Sequence, residues 1–76
     1  MKEDMAKSLG YEIKKARKKA KLTQQDVAYK TQISRNYISD IECGRYVPSV
    51  DKLVKLSSLL DMDLNLLKND GNTNQI

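Results

Sequence analysis

An all-α domain of five short helices is what this sequence predicts, on three observations. Apolar residues make up 39% of it, with no Trp and no Phe. A core built only from Leu, Ile, Val, Ala and Met suits packed helices better than a sandwich. Apolar residues also recur in three- and four-residue steps, and Thr23, Ser34, Ser49 and Asp63 stand where helix caps are needed. The chain has 76 residues, the length of one small domain. At that size folding buries roughly 60% of the unfolded chain's surface, so a monomer is expected to be marginal in stability.

The first helix is expected over residues 7–19, where Leu9, Ile13, Ala16 and Ala20 form one stripe. Lys14, Lys15, Lys18 and Lys19 line its other faces. The second opens at Thr23, with Asp26 three residues on as a shorter stand-in for the Glu of a capping box. It turns Val27 and Ala28 inward and ends near Thr31. The third runs from Ser34 to about Cys43, and Gly44 suits the left-handed position that stops it. The fourth follows Pro48, with Ser49 as cap, Asp51 in the first turn, and Val50, Leu53, Val54, Leu56 and Leu60 as its apolar face. The fifth is short, capped by Asp63, and carries Leu64, Leu66 and Leu67. Residues 1–68 are thus expected to form the domain, and residues 69–76 a polar, fraying tail.

Only Gln32 and Ile33 separate the end of the second helix from the cap of the third. So short a link prevents antiparallel packing and forces a steep crossing, the helix-turn-helix unit. On a wheel of about 100° per residue, Ile38, Ile41 and Glu42 of the third helix fall on one side. Asn36 and Asp40 fall on the other, flanked by Arg35 and Tyr37, with Ser39 between the two sets. The outer residues have the chemistry to read base edges. Arg bonds guanine through O6 and N7, and Asn bonds adenine through N6 and N7. The hydroxyl of Tyr37 can reach a phosphate, or its ring edge a thymine methyl. Gln24 and Gln25 open the second helix, where the helix N-terminus favours a phosphate and an amide adds a bond. Asp40 would be repelled by phosphate. It either accepts from a cytosine amino group or orients Arg35 or Tyr37.

Charge is unevenly distributed. Residues 1–45 hold eleven Lys/Arg and six Asp/Glu, a net of +5, while residues 46–76 hold three and four, a net of −1. A basic half fits a polyanion partner, and a solvated helix face fits it equally well. Of Lys14, Lys15, Lys18, Lys19 and Lys21, about two are expected to touch phosphate, the rest being solvated surface. Cys43 is the only cysteine and there is no His, which excludes an internal disulfide and a zinc site. It reads as a small helix-end residue. With no apolar leader and no apolar run near the ~20 residues of a membrane span, the setting expected is cytoplasmic and reducing. No clustered carboxylates, no His and one helix-end Cys leave no catalytic constellation, so neither an enzyme nor a cofactor is expected.

With these residues in view, the stretch from LTQQDVA through SRNYISDIE and the Gly44 stop to PSVDKLVKLSSLL resembles the Cro/C1-type (XRE) helix-turn-helix family. The likeness extends over residues 9–67. It implies a five-helix, lambda-repressor-like domain that binds DNA as a two-fold homodimer on a palindromic operator. The family's base-reading positions fall on Ser34, Arg35, Asn36 and Asp40, with Tyr37 beside them; Ser39, at the edge of the outer face, is expected to read bases as well. Its phosphate-clamping amide falls on Gln24; Gln25 and Lys18 are expected to touch the DNA backbone from their own position and charge. The loop that grips the DNA backbone falls on Gly44, Arg45, Tyr46 and Val47. A structural ion pair falls on Arg17 and Glu42. The family often has Gly where this chain has Lys21, Gln32 and Asp61, positions that follow or join helices. A positive φ there would cost about 1 kcal/mol each, and only Asp61 is of a type at ease in that region.

The function implied is a stand-alone transcriptional regulator, most simply a repressor that blocks polymerase. Two copies of the third helix would sit in successive major grooves about 34 Å apart. Met62, Leu64, Leu66 and Leu67 are read as dimer contacts or, alternatively, as simple core. The run YKTQISRNYISDIECG also looks like the controller proteins of restriction–modification systems. The rival class is a protein-interaction module, such as the antitoxin of a toxin–antitoxin pair, whose partner would be a protein rather than an operator.

Overall fold

The computed structural model describes residues 2–62. Four helices run in order, α1 (Lys2–Lys19), α2 (Gln24–Thr31), α3 (Arg35–Glu42) and α4 (Val50–Leu60), with no strand among the described residues. α1 packs against α3 and α4, and α2 against the same two. The expected fifth helix, with Asp63, Leu64, Leu66 and Leu67, and the tail lie outside the described residues. No described helix is long and apolar enough to cross a membrane.

Each helix start has a local cause. The Thr23 hydroxyl accepts from the Asp26 N–H at 3.0 Å, and the Asp26 carboxylate accepts from the Thr23 N–H at 2.9 Å. The capping box therefore closes with Asp in the place of Glu. Those hydrogen bonds from Thr23 hold the Asp26 carboxyl below the usual Asp range. Ser34 accepts from the Tyr37 N–H at 3.0 Å and Ser49 from the Lys52 N–H at 3.4 Å.

The helix ends are as regular. At the end of α3, the Gly44 N–H donates to the Ile41 carbonyl at 2.9 Å and the Arg45 N–H to the Asp40 carbonyl at 3.1 Å. This is the Schellman pattern, with Gly44 at φ 76°. α1 ends the same way, Lys21 N–H donating to Lys18 O at 2.9 Å and Leu22 N–H to Arg17 O at 3.1 Å, but Lys21 takes the left-handed position. Lys21, Gln32 and Asp61 all have positive φ, at 62°, 63° and 55°. The three sites where the family favours Gly are thus the three described non-Gly residues in that region.

Ile13, Val27, Ile38, Ile41 and Leu56 are the fully buried centre of the core. Each contributes roughly 1.5–3 kcal/mol by leaving water. Ile33, in the α2–α3 link, is buried as well. Beneath it, the Thr31 hydroxyl donates to Val27 O at 2.7 Å and accepts from the Ile33 N–H at 3.3 Å, so the tight turn leaves that buried hydroxyl satisfied.

Three expectations need correction. α1 begins at Lys2, not near residue 7, because buried Ala6 carries the stripe of Leu9 and Ile13 one turn further back. Ala20 is exposed, because the helix stops at Lys19 and the stripe's last buried position is taken by Arg17 instead. Val50 and Val54 are 75% and 48% exposed. Leu53, Leu56 and Leu60 define the buried stripe of α4; Val54 stands about 100° around from Leu53, and Val50 projects from the first turn beyond the core.

Gly10 has a role that periodicity did not reveal. It is buried where α1 meets the last turn of α3, and a Cβ there would overlap the Ile41 carbonyl oxygen and meet the Glu42 carbonyl oxygen at 3.1 Å. The missing side chain lets α1 lie directly on the backbone of α3.

Candidate nucleic-acid interface

α3 is held from its inner side. Ile38 and Ile41 enter the core, and Glu42 is locked by charge. Arg17 Nε and Nη2 donate to the two Glu42 oxygens at 2.7 and 3.0 Å, a bidentate pair with side chains only 10% and 3% exposed. Arg17 Nη1 donates to the Leu22 carbonyl at 2.8 Å, joining the pair to the end of α1. The hydrogen bond to Glu42 raises the Arg17 pKa above its ordinary value, against the opposing effect of burial. The ion pair read from the family's positions is therefore formed.

Gln24 joins the same network. Its amide nitrogen donates to Glu42 Oε1 at 3.1 Å. This fixes the side chain at the first residue of α2 and leaves its carbonyl oxygen and second N–H for other partners. No local pattern signals this bond, since Gln24 and Glu42 lie eighteen residues apart. Gln25, one residue on, is exposed.

The outer side of α3 has a different character. Arg35 and Asn36 are exposed, and neither side chain has a hydrogen-bond partner among the described residues. Ser34 sits at the N-cap with its oxygen accepting from the Tyr37 N–H, leaving its hydroxyl hydrogen to donate. Ser39 is half-buried between the two faces. Asp40 orients neither Arg35 nor Tyr37. Its carboxylate instead accepts from Arg45 Nη1 at 2.9 Å, because Gly44 turns the chain back along the helix.

Tyr37 packs edge-on against Tyr46, with ring centroids 5.3 Å apart and planes at 64°. Lys52 of α4 places its ammonium 5.2 Å from the Tyr37 ring centre, a cation–π contact. Tyr37 thus fastens the loop after α3 to both α3 and α4. Burial raises the Tyr46 phenol above its ordinary pKa, and the nearby Asp40 charge adds to the rise. Among the lysines, Lys15 is engaged within α1, 3.4 Å from Glu12 and 5.2 Å from the Tyr11 ring centre. Lys14, Lys18, Lys19 and Lys21 are exposed, with no ion-pair partner among the described residues. Cys43 caps the end of α3 and is exposed.

A groove of about 600 Å³ lies between the ends of α1 and α4, lined by Glu12, Lys15, Ala16, Ala20, Leu60 and Met62 among others. Met62 is half-buried there and packs against the core.

This arrangement, a capped α2, a two-residue link and a capped α3 with exposed polar side chains on its first turn, coincides with a sequence match. The family model described as helix-turn-helix matches residues 13–67. The chain belongs to the helix-turn-helix family. Within that family its likeness is to the XRE type. This helix-turn-helix chain is 47% identical over 62 residues to the ImmF control region 10 kDa protein of Bacillus phage phi105, covering 82% of this chain and 69% of that one. It is 38% identical over 60 residues to the immunity repressor protein of the same phage, covering 79% of this chain and 42% of the repressor. It is 41% identical over 61 residues to the HTH-type transcriptional regulator YqaE of Bacillus subtilis (strain 168), covering 79% of this chain and 53% of YqaE. The chain thus spans less than two thirds of the latter two relatives.

Proposed function

We propose that this helix-turn-helix chain is a sequence-specific, double-stranded-DNA-binding regulator of transcription, acting as a repressor. One observation carries the reading: the first turn of α3 presents Arg35 and Asn36 exposed and without partners among the described residues, while Ile38 and Ile41 of the same helix are sunk in the core. A helix held so firmly on one side can enter a major groove with the other. Arg35 and Asn36 then read base edges, with Ser34, Tyr37 and Ser39 beside them. Gln24 and Gln25, Lys18, Arg45 and Tyr46 lie against phosphate. The relative named as an immunity repressor protein favours repression over activation.

In this reading two copies bind a palindromic operator. Met62, at the rim of the groove between α1 and α4, contributes to the contact between copies together with Leu64, Leu66 and Leu67. Selection of bound sites from a random double-stranded DNA library, at ~150 mM salt, tests the proposal. A palindrome with half-sites about one helical turn apart supports DNA reading and pairing together. No enriched motif from folded protein contradicts it.

A further inference from the structure

Asp40 is the outer-face residue that DNA binding leaves unexplained. A bare carboxylate at this place would repel phosphate oxygens. It is not bare, however. Its Oδ1 accepts from Arg45 Nη1 at 2.9 Å, with the Asp40 side chain 33% and the Arg45 side chain 65% exposed. The backbone repeats the tie, since the Arg45 N–H donates to the Asp40 carbonyl at 3.1 Å. Residue 45 is therefore fixed to residue 40 twice, once by the helix stop and once by charge. On its other side the loop is fixed by the Tyr46 ring against Tyr37. Among the described residues the Nε–Nη2 edge of Arg45 bonds to nothing. That edge is a two-donor fork that fits two oxygens of one phosphate.

We infer that Asp40 is a positioning residue that holds the Arg45 guanidinium at the end of α3, its Nε–Nη2 edge open to a DNA phosphate, and reads no base itself. The inference rests on the DNA-binding reading above. It accounts for an acidic residue on a DNA-facing surface, because the pair neutralises the carboxylate before DNA arrives. An exposed pair of this kind adds little to stability. Its effect is on order: a long, mobile side chain is pre-set, so less freedom is lost when phosphate binds.

The test is DNA binding by the wild type, Asp40→Asn, Arg45→Ala and the double variant. Each is measured over a range of salt on the selected operator, on operators altered at single base pairs and on unrelated duplex, with circular dichroism to verify folding. Arg45→Ala is expected to weaken binding to all duplexes alike by about tenfold and to lower the salt slope by about 1. Asp40→Asn alone is expected to stay within about fivefold of wild type and to keep the preference at every base pair. In the Arg45→Ala background the same change is expected to tighten binding, because it removes a carboxylate that has lost its partner. A preference altered about tenfold at one base pair by Asp40→Asn, with Arg45 present, would make Asp40 a base reader and overturn the inference alone. An identical effect of Asp40→Asn with and without Arg45 would also overturn it. Failure of the wild type to prefer any sequence would remove the DNA-binding reading, and this inference with it.

Discussion

The two sides of α3 are built on opposite principles. On the inner side both carboxylate oxygens of Glu42 are used, by Arg17 and by Gln24, and Gly10 lets the α1 backbone close onto the α3 backbone without a side chain between. On the outer side Arg35 and Asn36 are left without partners among the described residues. The inner side spends residues on fixing one orientation of the helix. The outer side keeps its hydrogen-bonding capacity for something outside the chain. Substitutions on the two sides should therefore fail differently, the inner ones in stability and the outer ones in binding.

Glu42→Ala should have the largest effect. It strands the Arg17 guanidinium in a site where that side chain is 10% exposed, and should destabilise the fold by about 3–5 kcal/mol in urea unfolding. Replacing both partners with apolar residues, Arg17→Met with Glu42→Leu, should recover part of that loss, because no charge is then stranded. Gly10→Ala comes next. The new methyl overlaps the Ile41 carbonyl, so α1 and α3 must move apart, at a cost of about 1–3 kcal/mol in the same measurement. If Gly10→Ala unfolded at the wild-type denaturant midpoint, the close approach of the two backbones would be wrong.

Smaller changes sharpen the comparison away from α3. Lys21→Gly relieves a left-handed backbone at φ 62° and should stabilise the domain by up to about 1 kcal/mol. Gln32→Gly should gain less, since the Gln32 amide donates to the Tyr29 carbonyl at 3.2 Å and would be lost. Asp61→Gly should gain least, because Asp tolerates that region best. The thermal midpoint should therefore rise most in Lys21→Gly and least in Asp61→Gly. The smallest effect is the acid response of the α2 cap. The folded pKa of Asp26 is lowered, so its contribution is present above the unfolded value and lost as pH falls through the folded one. Asp26→Asn should narrow the difference in thermal midpoint between neutral pH and about pH 3.

What could be read in the sequence was mostly local. Thr23 with Asp26, Ser34, Ser49 and Gly44 each act within a few residues, and all took the places their chemistry indicated. The division of α3 into an inner and an outer face was legible for the same reason. The Arg17–Glu42 pair spans twenty-five residues and was legible only through likeness to a family. Contacts between distant turns were less accessible. Val50 and Val54 are apolar but lie off the buried stripe of α4, and Ala6 is buried only because α1 runs a turn further than its clearest stripe. The bond of Gln24 to Glu42 and the packing of Gly10 depend on which turn of one helix meets which turn of another. The Asp40–Arg45 pair was within closer reach: a Gly stop that reverses the chain brings a residue five positions on back beside the helix.

The most direct measurement compares wild type and Arg35→Ala on the selected operator and on unrelated duplex, at one salt concentration, alongside their thermal midpoints. The expected result is an unchanged midpoint, a loss of about 1–3 kcal/mol on the operator, relaxed preference at one base pair of each half-site, and little loss on unrelated duplex. Equal losses on operator and unrelated duplex would contradict base reading by the outer face of α3 and leave Arg35 as a phosphate contact.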